Sequence, residues 1–278
     1  PGGTINVVDN RYDQTITSAI TGSPAVNTKD YGAGNQYKGL IFAPDTGTQT
    51  LGAVLNPNNT GTTDKAGITL GGSTTGNSVA SISYAGGDRY ADVNKTGSGT
   101  WSVGNINTGT IKVYDGTLIL SGTAGCYYNE MRVTGGTVTG DFTIFSNDRR
   151  CSPYISGTGT IAPGNSVGTV TVSYGTSGGT PAVTINDYSF SMRTGSTYEW
   201  EVGSSATDTI YISAGGLFLQ DFTLKILDAG GTPAATDQLP VFTYASGVIR
   251  DMSGFLNKFD TSALGSTWRT SGLFLADD

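Results

Sequence analysis

The sequence has no histidine and few charged residues. Only 13% of its 278 residues are charged, and just three of them are glutamates, namely Glu130, Glu199 and Glu201. The missing imidazole excludes a serine–histidine–aspartate triad, a cysteine–histidine pair, histidine-ligated zinc or haem, and a histidine general base. The net charge of −7 at pH 7 argues against a nucleic-acid surface. We therefore expect no nucleic-acid partner.

Long apolar runs and targeting signals are also missing. No stretch of about 18 apolar residues occurs, so we expect no membrane span. The chain begins at Pro1, and no charged segment followed by an apolar one stands at its front. We interpret the chain as a processed or trimmed soluble piece. A mature protein that was exported by a removed signal sequence, to the extracellular space or a bacterial cell surface, fits this pattern.

Cysteine is scarce, with only Cys126 and Cys151 in the chain. Two thiols without histidine are too few to ligate zinc. They are either two buried free thiols or one disulfide in an oxidising compartment. We predict the disulfide, which would close a loop of about 26 residues and contribute roughly 3–4 kcal/mol in the chain-entropy description.

Glycine and threonine are abundant, and each occurs 42 times. Both residues are poor helix formers, and threonine favours strands. Alternation of apolar and polar residues recurs through the middle and C-terminal parts, and glycine, asparagine, aspartate and serine separate the alternating segments. The composition and the pattern together predict an all-β fold.

A repeat of about 20 residues favours one all-β architecture over others. Gly-Thr pairs begin at Gly99, Gly116, Gly136 and Gly157, at intervals of 17, 20 and 21 residues. A sandwich or barrel would show strands every 8–12 residues or so, whereas three short strands with turns match the observed interval. We predict a right-handed parallel β-helix (β-solenoid), in which charges stacked in register repel, threonine hydroxyls bond along the stack and glycine forms the corners.

The regularity of the pattern suggests three regions. Residues 1–92 are predicted to form an irregular N-terminal β region or cap. Residues 93–246 are predicted to form the parallel β-helix coils. Residues 247–278 return to mixed loops and are predicted to form a capping or assembly segment.

Several motifs resemble the autotransporter-associated β-strand repeat of passenger-type surface proteins. The matching segments cover roughly residues 95–244 and include a fairly specific Ala-Pro-Gly-Asn-Ser phrase; they lie at residues 95–101, 115–122, 156–172, 195–202, 205–210 and 231–242. The resemblance implies a right-handed parallel β-helix exported to a cell surface. No catalytic residue carries over from the resemblance, because an active site does not define the family. The segment around Cys126 and Cys151 departs from the common pattern.

The two ends of the sequence suggest assembly contacts. The final segment resembles the end of related surface proteins, in which a further strand often follows; its candidate contact residues are Trp268, Leu273 and Phe274. A strand of the matching type stands at the N-terminus, at Thr4, Ile5, Asn6, Val7 and Val8. We expect head-to-tail self-association in which β-strands are added to open ends.

Catalytic and ligand-binding alternatives rest on small clusters. A β-helical polysaccharide lyase or hydrolase could use grouped acidic and basic residues, and a glycosidase pair could use Glu199 and Glu201, which lie on one face of a strand. A carbohydrate-binding adhesin could use Tyr127 and Tyr128. The remaining clusters are Asp88, Arg89 and Asp92; Asp148, Arg149 and Arg150; and, for calcium, Asp9 and Asp13. Turn, solvated or core roles are favoured for all of these residues.

The sequence therefore favours a structural role. We expect a non-catalytic extracellular protein, a subunit of a cell-surface fibre, sheath or adhesive layer, with no metal and no cofactor. A glycan or another cell-surface ligand is the expected kind of non-self partner.

Overall fold

The structure, a computed structural model, describes the following residues: 4–7, 14–28, 40–56, 67–84, 92–126, 130–146, 152–164, 166–174, 189–204, 206–230, 239–245, 248–251, 258–260 and 262–263. All secondary structure among them is β-strand, and the strands form one sheet of ten and one of sixteen. Every strand pair within these sheets is parallel.

The ten-stranded sheet contains one short strand from each repeat of the chain. In spatial order its strands are β2 (Gln14–Ile16), β4 (Leu40–Phe42), β6 (Ile68–Leu70), β8 (Asp92–Lys95), β10 (Thr110–Val113), β13 (Met131–Val133), β16 (Tyr154–Ile155), β19 (Ser189–Met192), β22 (Gly216–Leu219) and β25 (Ile249–Asp251).

The sixteen-stranded sheet begins with single strands and then branches. Its first strands are β1 (Thr4–Val7), β3 (Ala25–Thr28), β5 (Thr50–Asn56), β7 (Asn77–Tyr84) and β9 (Thr100–Thr108). The two halves of β9 then pair with two separate strands, which start two ladders. The first ladder is β11 (Thr117–Leu120), β14 (Thr137–Gly140), β17 (Thr160–Pro163), β20 (Thr197–Val202), β23 (Thr223–Asp228) and β26 (Lys258–Asp260). The second ladder is β12 (Thr123–Cys126), β15 (Phe142–Ser146), β18 (Thr169–Tyr174), β21 (Thr209–Ile212) and β24 (Phe242–Tyr244).

The chain therefore alternates between two sheets, and each strand pairs with its counterpart one repeat later. We call one such repeat a rung. The all-β prediction and the stacking of parallel strands in a solenoid-like arrangement are confirmed. Parallel stacking also includes the described strands before residue 93, since β6 pairs with β8 and β7 pairs with β9. The predicted boundary at residue 92 is thus not marked by a break in the strand ladders.

Threonines stack in register on six successive rungs of the first ladder and of β9. They are half-buried and open their strands; the column is Thr100, Thr117, Thr137, Thr160, Thr197 and Thr223. The Gly-Thr pairs at Gly99, Gly116 and Gly136 supply the first three. The pair that begins at Gly157 instead forms a turn, and Thr160, two residues beyond Thr158, takes the register position. For three of its four pairs, the Gly-Thr repeat in the sequence therefore marks residues that are paired in register in the sheet.

The core lies directly inside this threonine column. The next residue of each strand points inward and is fully buried; the stacked set is Trp101, Leu118, Val138, Ile161, Tyr198 and Leu224. Burying a large apolar side chain contributes about 1.5–3 kcal/mol. Each rung therefore adds its own stabilisation to the stack, provided that its register is kept.

A column of glycines with positive φ turns the chain into the first ladder. Gly136 has a φ of 63°, a left-handed conformation in which glycine alone is free of a Cβ penalty. A Cβ atom at this position would lie 2.6 Å from the carbonyl oxygen of Gly116, in the rung below. The corner thus demands glycine for its backbone angle and for the close approach of the neighbouring rung.

We expect Gly136→Ala to lower the free energy of unfolding by roughly 2–5 kcal/mol, because left-handed strain adds to backbone overlap. Gly22→Ala is the matched control. Gly22 has a φ of 83°, but a Cβ atom there would have no neighbour within 4 Å, so strain alone should cost about 1–2 kcal/mol. Urea denaturation followed by circular dichroism measures both changes. Equal losses in the two variants would contradict the close packing of rungs at this corner.

Candidate functional site

The N-terminal end of the stack exposes one edge of both sheets. Among the described strands, β1 pairs only with β3 and β2 only with β4. Three partly buried isoleucines at this end pack against the core: Ile5, Ile16 and Ile20. Thr4, Ile5, Asn6 and Val7 of the predicted assembly strand form β1, while Val8 lies outside the described residues, and the assembly role of this strand stays a prediction. One edge of β1 is already paired within its own chain, so β1 can offer only its other edge to a partner.

The C-terminal end exposes the opposite edge of the same ladders. Within the described ranges, β24, β25 and β26 each pair with a single strand, respectively β21, β22 and β23. Partly buried apolar residues again pack against the core here: Leu239, Phe242, Tyr244 and Ala245. The predicted contact residues Trp268, Leu273 and Phe274 lie outside the described residues.

The two ends are chemically complementary. All strands run in the same direction, so the last rung presents the edge that the first rung lacks. An unpaired strand edge carries a row of backbone donors and acceptors that favours pairing with another strand. Among the described strands, each end therefore has an unpaired edge of the kind that is paired inside the stack.

Only one of the two cysteines lies among the described residues. Cys126 is buried at the end of β12. Cys151 lies outside the described residues, so the disulfide stays a prediction.

The two neighbouring glutamates of β20 share the outer face, as predicted. Glu199 and Glu201 are partly exposed, whereas Tyr198, Trp200 and Val202 are buried between and beside them. Glu199 Oε1 accepts a 2.6 Å hydrogen bond from the Lys225 ammonium on β23, which is an ion pair between adjacent rungs. Burial and the Glu199 carboxylate raise the pKa of Glu201.

A buried carboxylate that the sequence reading missed lies beside this pair. Asp208 is fully buried, and its two carboxylate oxygens accept hydrogen bonds from the amides of Gly168 and Glu201. Its backbone carbonyl accepts a 2.8 Å hydrogen bond from the Trp200 indole. Burial raises the pKa of Asp208 to about 7; the two amides oppose the rise, and the charges of Glu201 and Asp141 add to it. Asp208 thus holds the start of β21 against two other segments.

A second buried charge lies at the corner after β8. Lys95 is fully buried, and its ammonium donates hydrogen bonds of 2.6–3.0 Å to the carbonyl oxygens of Thr96, Gly97 and Asp115. Burial lowers the pKa of Lys95 to about 8, and the charge of Asp115 opposes this change. Neighbouring rungs have Leu70 and Val113 at the same register position. At this position Lys95 therefore makes three hydrogen bonds to the corner backbone, where the neighbouring rungs have an apolar side chain.

Of the other acidic and basic candidates, only Asp92 lies among the described residues. Asp92 lies on β8 and forms a 2.6 Å ion pair with Lys112 of the next rung. In the part of the chain that the structure describes, no group of three or more cysteine, aspartate and glutamate side chains is arranged to hold a metal ion. The remaining candidates lie outside the described residues: Asp9, Asp13, Asp88, Arg89, Tyr127, Tyr128, Asp148, Arg149 and Arg150.

Comparisons with known proteins add no relative. No family model matches this chain, and no curated protein matches it. The resemblance to the autotransporter-associated repeat therefore rests on its motifs alone. No helix among the described residues is long and apolar enough to cross a membrane.

Asp208 should make stability depend on pH between about 4 and 7. Its pKa in the folded protein, about 7, exceeds the ordinary value of 3.8, so between these values the folded protein holds a proton that the unfolded chain has lost. The free energy of unfolding should therefore fall as pH rises through this range, by on the order of 2–4 kcal/mol, and should level off above the folded-state pKa. Urea titrations at several pH values measure this fall. Asp208→Asn should remove it, whereas the exposed control Asp45→Asn should keep it; a pH dependence unchanged in Asp208→Asn would refute the assignment.

Replacing Lys95 by methionine should destabilise the corner although methionine suits the apolar column. The three carbonyl oxygens would lose their donor, and each buried unsatisfied group costs about 1–3 kcal/mol. We expect a loss of about 3 kcal/mol or more in urea denaturation. The control is Lys112→Met, which removes a partly exposed ion pair worth about 1 kcal/mol or less. A Lys95→Met variant as stable as the wild type would show that the ammonium is not needed.

Proposed function

We propose that this chain is a non-catalytic structural protein of an extracellular surface, a subunit of a cell-surface fibre, sheath or adhesive layer. In this proposal the strands wind into a right-handed parallel β-helix, and copies assemble head to tail through β-strand addition. Export by a removed signal sequence brings the protein to a bacterial cell surface. The motif resemblance of residues 95–244 to passenger-type surface proteins supports this location.

The observation that carries the proposal is that the described apolar side chains at both ends of the core are only partly buried. Among the described residues, the partly buried apolar side chains that pack on the core lie at the two ends, with the single exception of Tyr174. A stack that ended in solvent would gain from a polar cap at each end. A second copy would instead bury these side chains and continue the column of the core.

The composition of three of the five edge strands supports pairing rather than its avoidance. Natural proteins protect edge strands with lysine, proline, bulges or inward charges. The edge strands β1, β2 and β24 contain no charged residue and no proline, whereas β25 contains Arg250 and Asp251 and β26 contains Lys258 and Asp260. Adding a parallel strand to β1, β2 or β24 would meet no charge on that strand.

Copies should assemble end to end in a concentration-dependent way. Sedimentation velocity should show growing oligomers, and electron microscopy should show linear particles. Ile5→Lys and Phe242→Lys each place a charge at one end, so each variant alone should stay monomeric. The matched control is Tyr114→Lys, because Tyr114 is the most exposed large apolar side chain described, at 49%, and lies on the side of the stack.

Mixing the two end variants gives a sharper result. Each retains one intact end, so the mixture should form dimers and nothing longer. A wild-type protein that stays monomeric at high concentration contradicts the proposal, as does assembly of either end variant to the wild-type extent. Thermal melts of each variant establish that the subunit itself remains folded.

A further inference from the structure

The outer face of the ten-stranded sheet carries a short line of cationic and aromatic side chains. Lys112 of β10, Arg132 of β13 and Tyr154 of β16 occupy the same register position on successive rungs. Their strand neighbours Ile111, Val113, Met131, Val133 and Ile155 are buried, so these three side chains point outward. We call this line, together with Arg193, the cationic column. Its rungs are spaced by about 4.8 Å, the distance between neighbouring strands.

Arg193 completes the column from the next rung. It directly follows β19, and its guanidinium carbon lies 3.8 Å from the centroid of the Tyr154 ring. The guanidinium carbon of Arg132 lies 5.8 Å from the same centroid. Stacking on an aromatic face holds a guanidinium group while its N–H edge stays available to donate two hydrogen bonds to an anion. The tyrosine thus positions two cationic donors along the axis of the stack.

This face concentrates positive charge in an acidic protein. Five lysine and arginine side chains have their exposure described, and three of them lie in the cationic column; the other two are the buried Lys95 and Lys225 of the sixteen-stranded sheet. The chain as a whole has a net charge of −7. Among the described side chains, this face therefore offers an anionic ligand the largest group of cations.

Two carboxylates alternate with the cations. Asp92 pairs with Lys112 at 2.6 Å and Glu130 pairs with Arg132 at 2.9 Å. These pairs are partly exposed, and the Arg132 side chain is 42% exposed. Exposed ion pairs contribute about 1 kcal/mol or less, so a ligand with its own anions can compete for the cations. The freed carboxylates are then acceptors for hydroxyl groups.

The accessible part of the face ends beside Arg193. Ser191 and Phe218 continue the register position of Tyr154 on the next two rungs, but they are 2% and 6% exposed. The exposed column is therefore a straight line over four rungs. Its shape fits an extended polymer that lies along the axis.

We propose that the cationic column binds a linear acidic polysaccharide. The arginines and Lys112 bind the carboxylate or sulfate groups, Asp92 and Glu130 accept hydrogen bonds from sugar hydroxyls, and the Tyr154 ring holds the Arg193 guanidinium in place. A polynucleotide strand fits this column less well, because it presents few hydroxyl groups that could donate hydrogen bonds to Asp92 and Glu130. The column lies on the side of the stack, so its binding can be tested independently of assembly at the ends.

The test measures binding of polygalacturonate, chondroitin sulfate and neutral dextran to the full chain by affinity electrophoresis and calorimetry, at low and at physiological ionic strength. We expect the acidic polymers to bind, more weakly as salt rises, and dextran not to bind. Arg132→Gln and Arg193→Gln should each weaken binding about tenfold or more. Arg132→Lys, which keeps the charge, should restore part of it. Comparison of the two acidic polymers shows whether carboxylate or sulfate is preferred.

The control is Lys225→Gln, which removes the same charge and a similar ion pair on the sixteen-stranded sheet. It should bind like the wild type. The proposal is overturned if neither acidic polymer binds at low ionic strength, if Arg132→Gln and Arg193→Gln bind like the wild type, or if dextran binds equally well. Tighter binding of a single-stranded oligonucleotide than of either polysaccharide would overturn it in favour of a nucleic-acid ligand. Thermal melts verify that each variant is folded.

Discussion

In-register parallel pairing is the constraint on which the rest of this structure depends. Each side chain lies about 4.8 Å from the residue at the same position of the next rung. The charge, size and polarity of a side chain at one position are therefore repeated by the neighbours at the same position in the rungs above and below. Apolar residues gain from this repetition, because it produces a continuous buried column such as the one from Trp101 to Leu224. Like charges at the same position of successive rungs repel each other, which accounts for the small number of lysines and glutamates in the chain.

Charge is tolerated where the repetition is broken by a partner. Lys112 and Asp92 pair across adjacent rungs, and so do Lys225 and Glu199. In both cases the cation and the carboxylate belong to different rungs, so an ion pair replaces the repulsion that identical neighbours would produce. Among the described residues, the two fully buried charged ones, Lys95 and Asp208, are held by backbone groups at corners, where the chain leaves the ladders.

The features that recur along the chain could be predicted from the sequence, and those that occur once could not. Repetition of Gly-Thr pairs predicted the stacking because the same corner and strand start recur on successive rungs. The early strands β4 and β6 contain three residues each, too few to show alternation. The Asp208 carboxylate accepts a hydrogen bond from the backbone amide of Gly168, 40 positions earlier in the chain, and only the stacked arrangement brings these two residues together. Lys95 lies two residues after the inward-facing Val93 on the same strand. The alternation of the strand therefore predicts that Lys95 is buried, but it does not predict the three carbonyl partners.

The register between rungs is kept although the connections differ in length. Residues 175–188 lie between β18 and β19, yet Ser191 still pairs with Tyr154 and Thr197 with Thr160, as in rungs with much shorter connections. Register is reset at every corner, so added residues do not shift the strands that follow them. The spacing of the rungs is therefore constant along the stack, and connections of different length can be inserted without changing it.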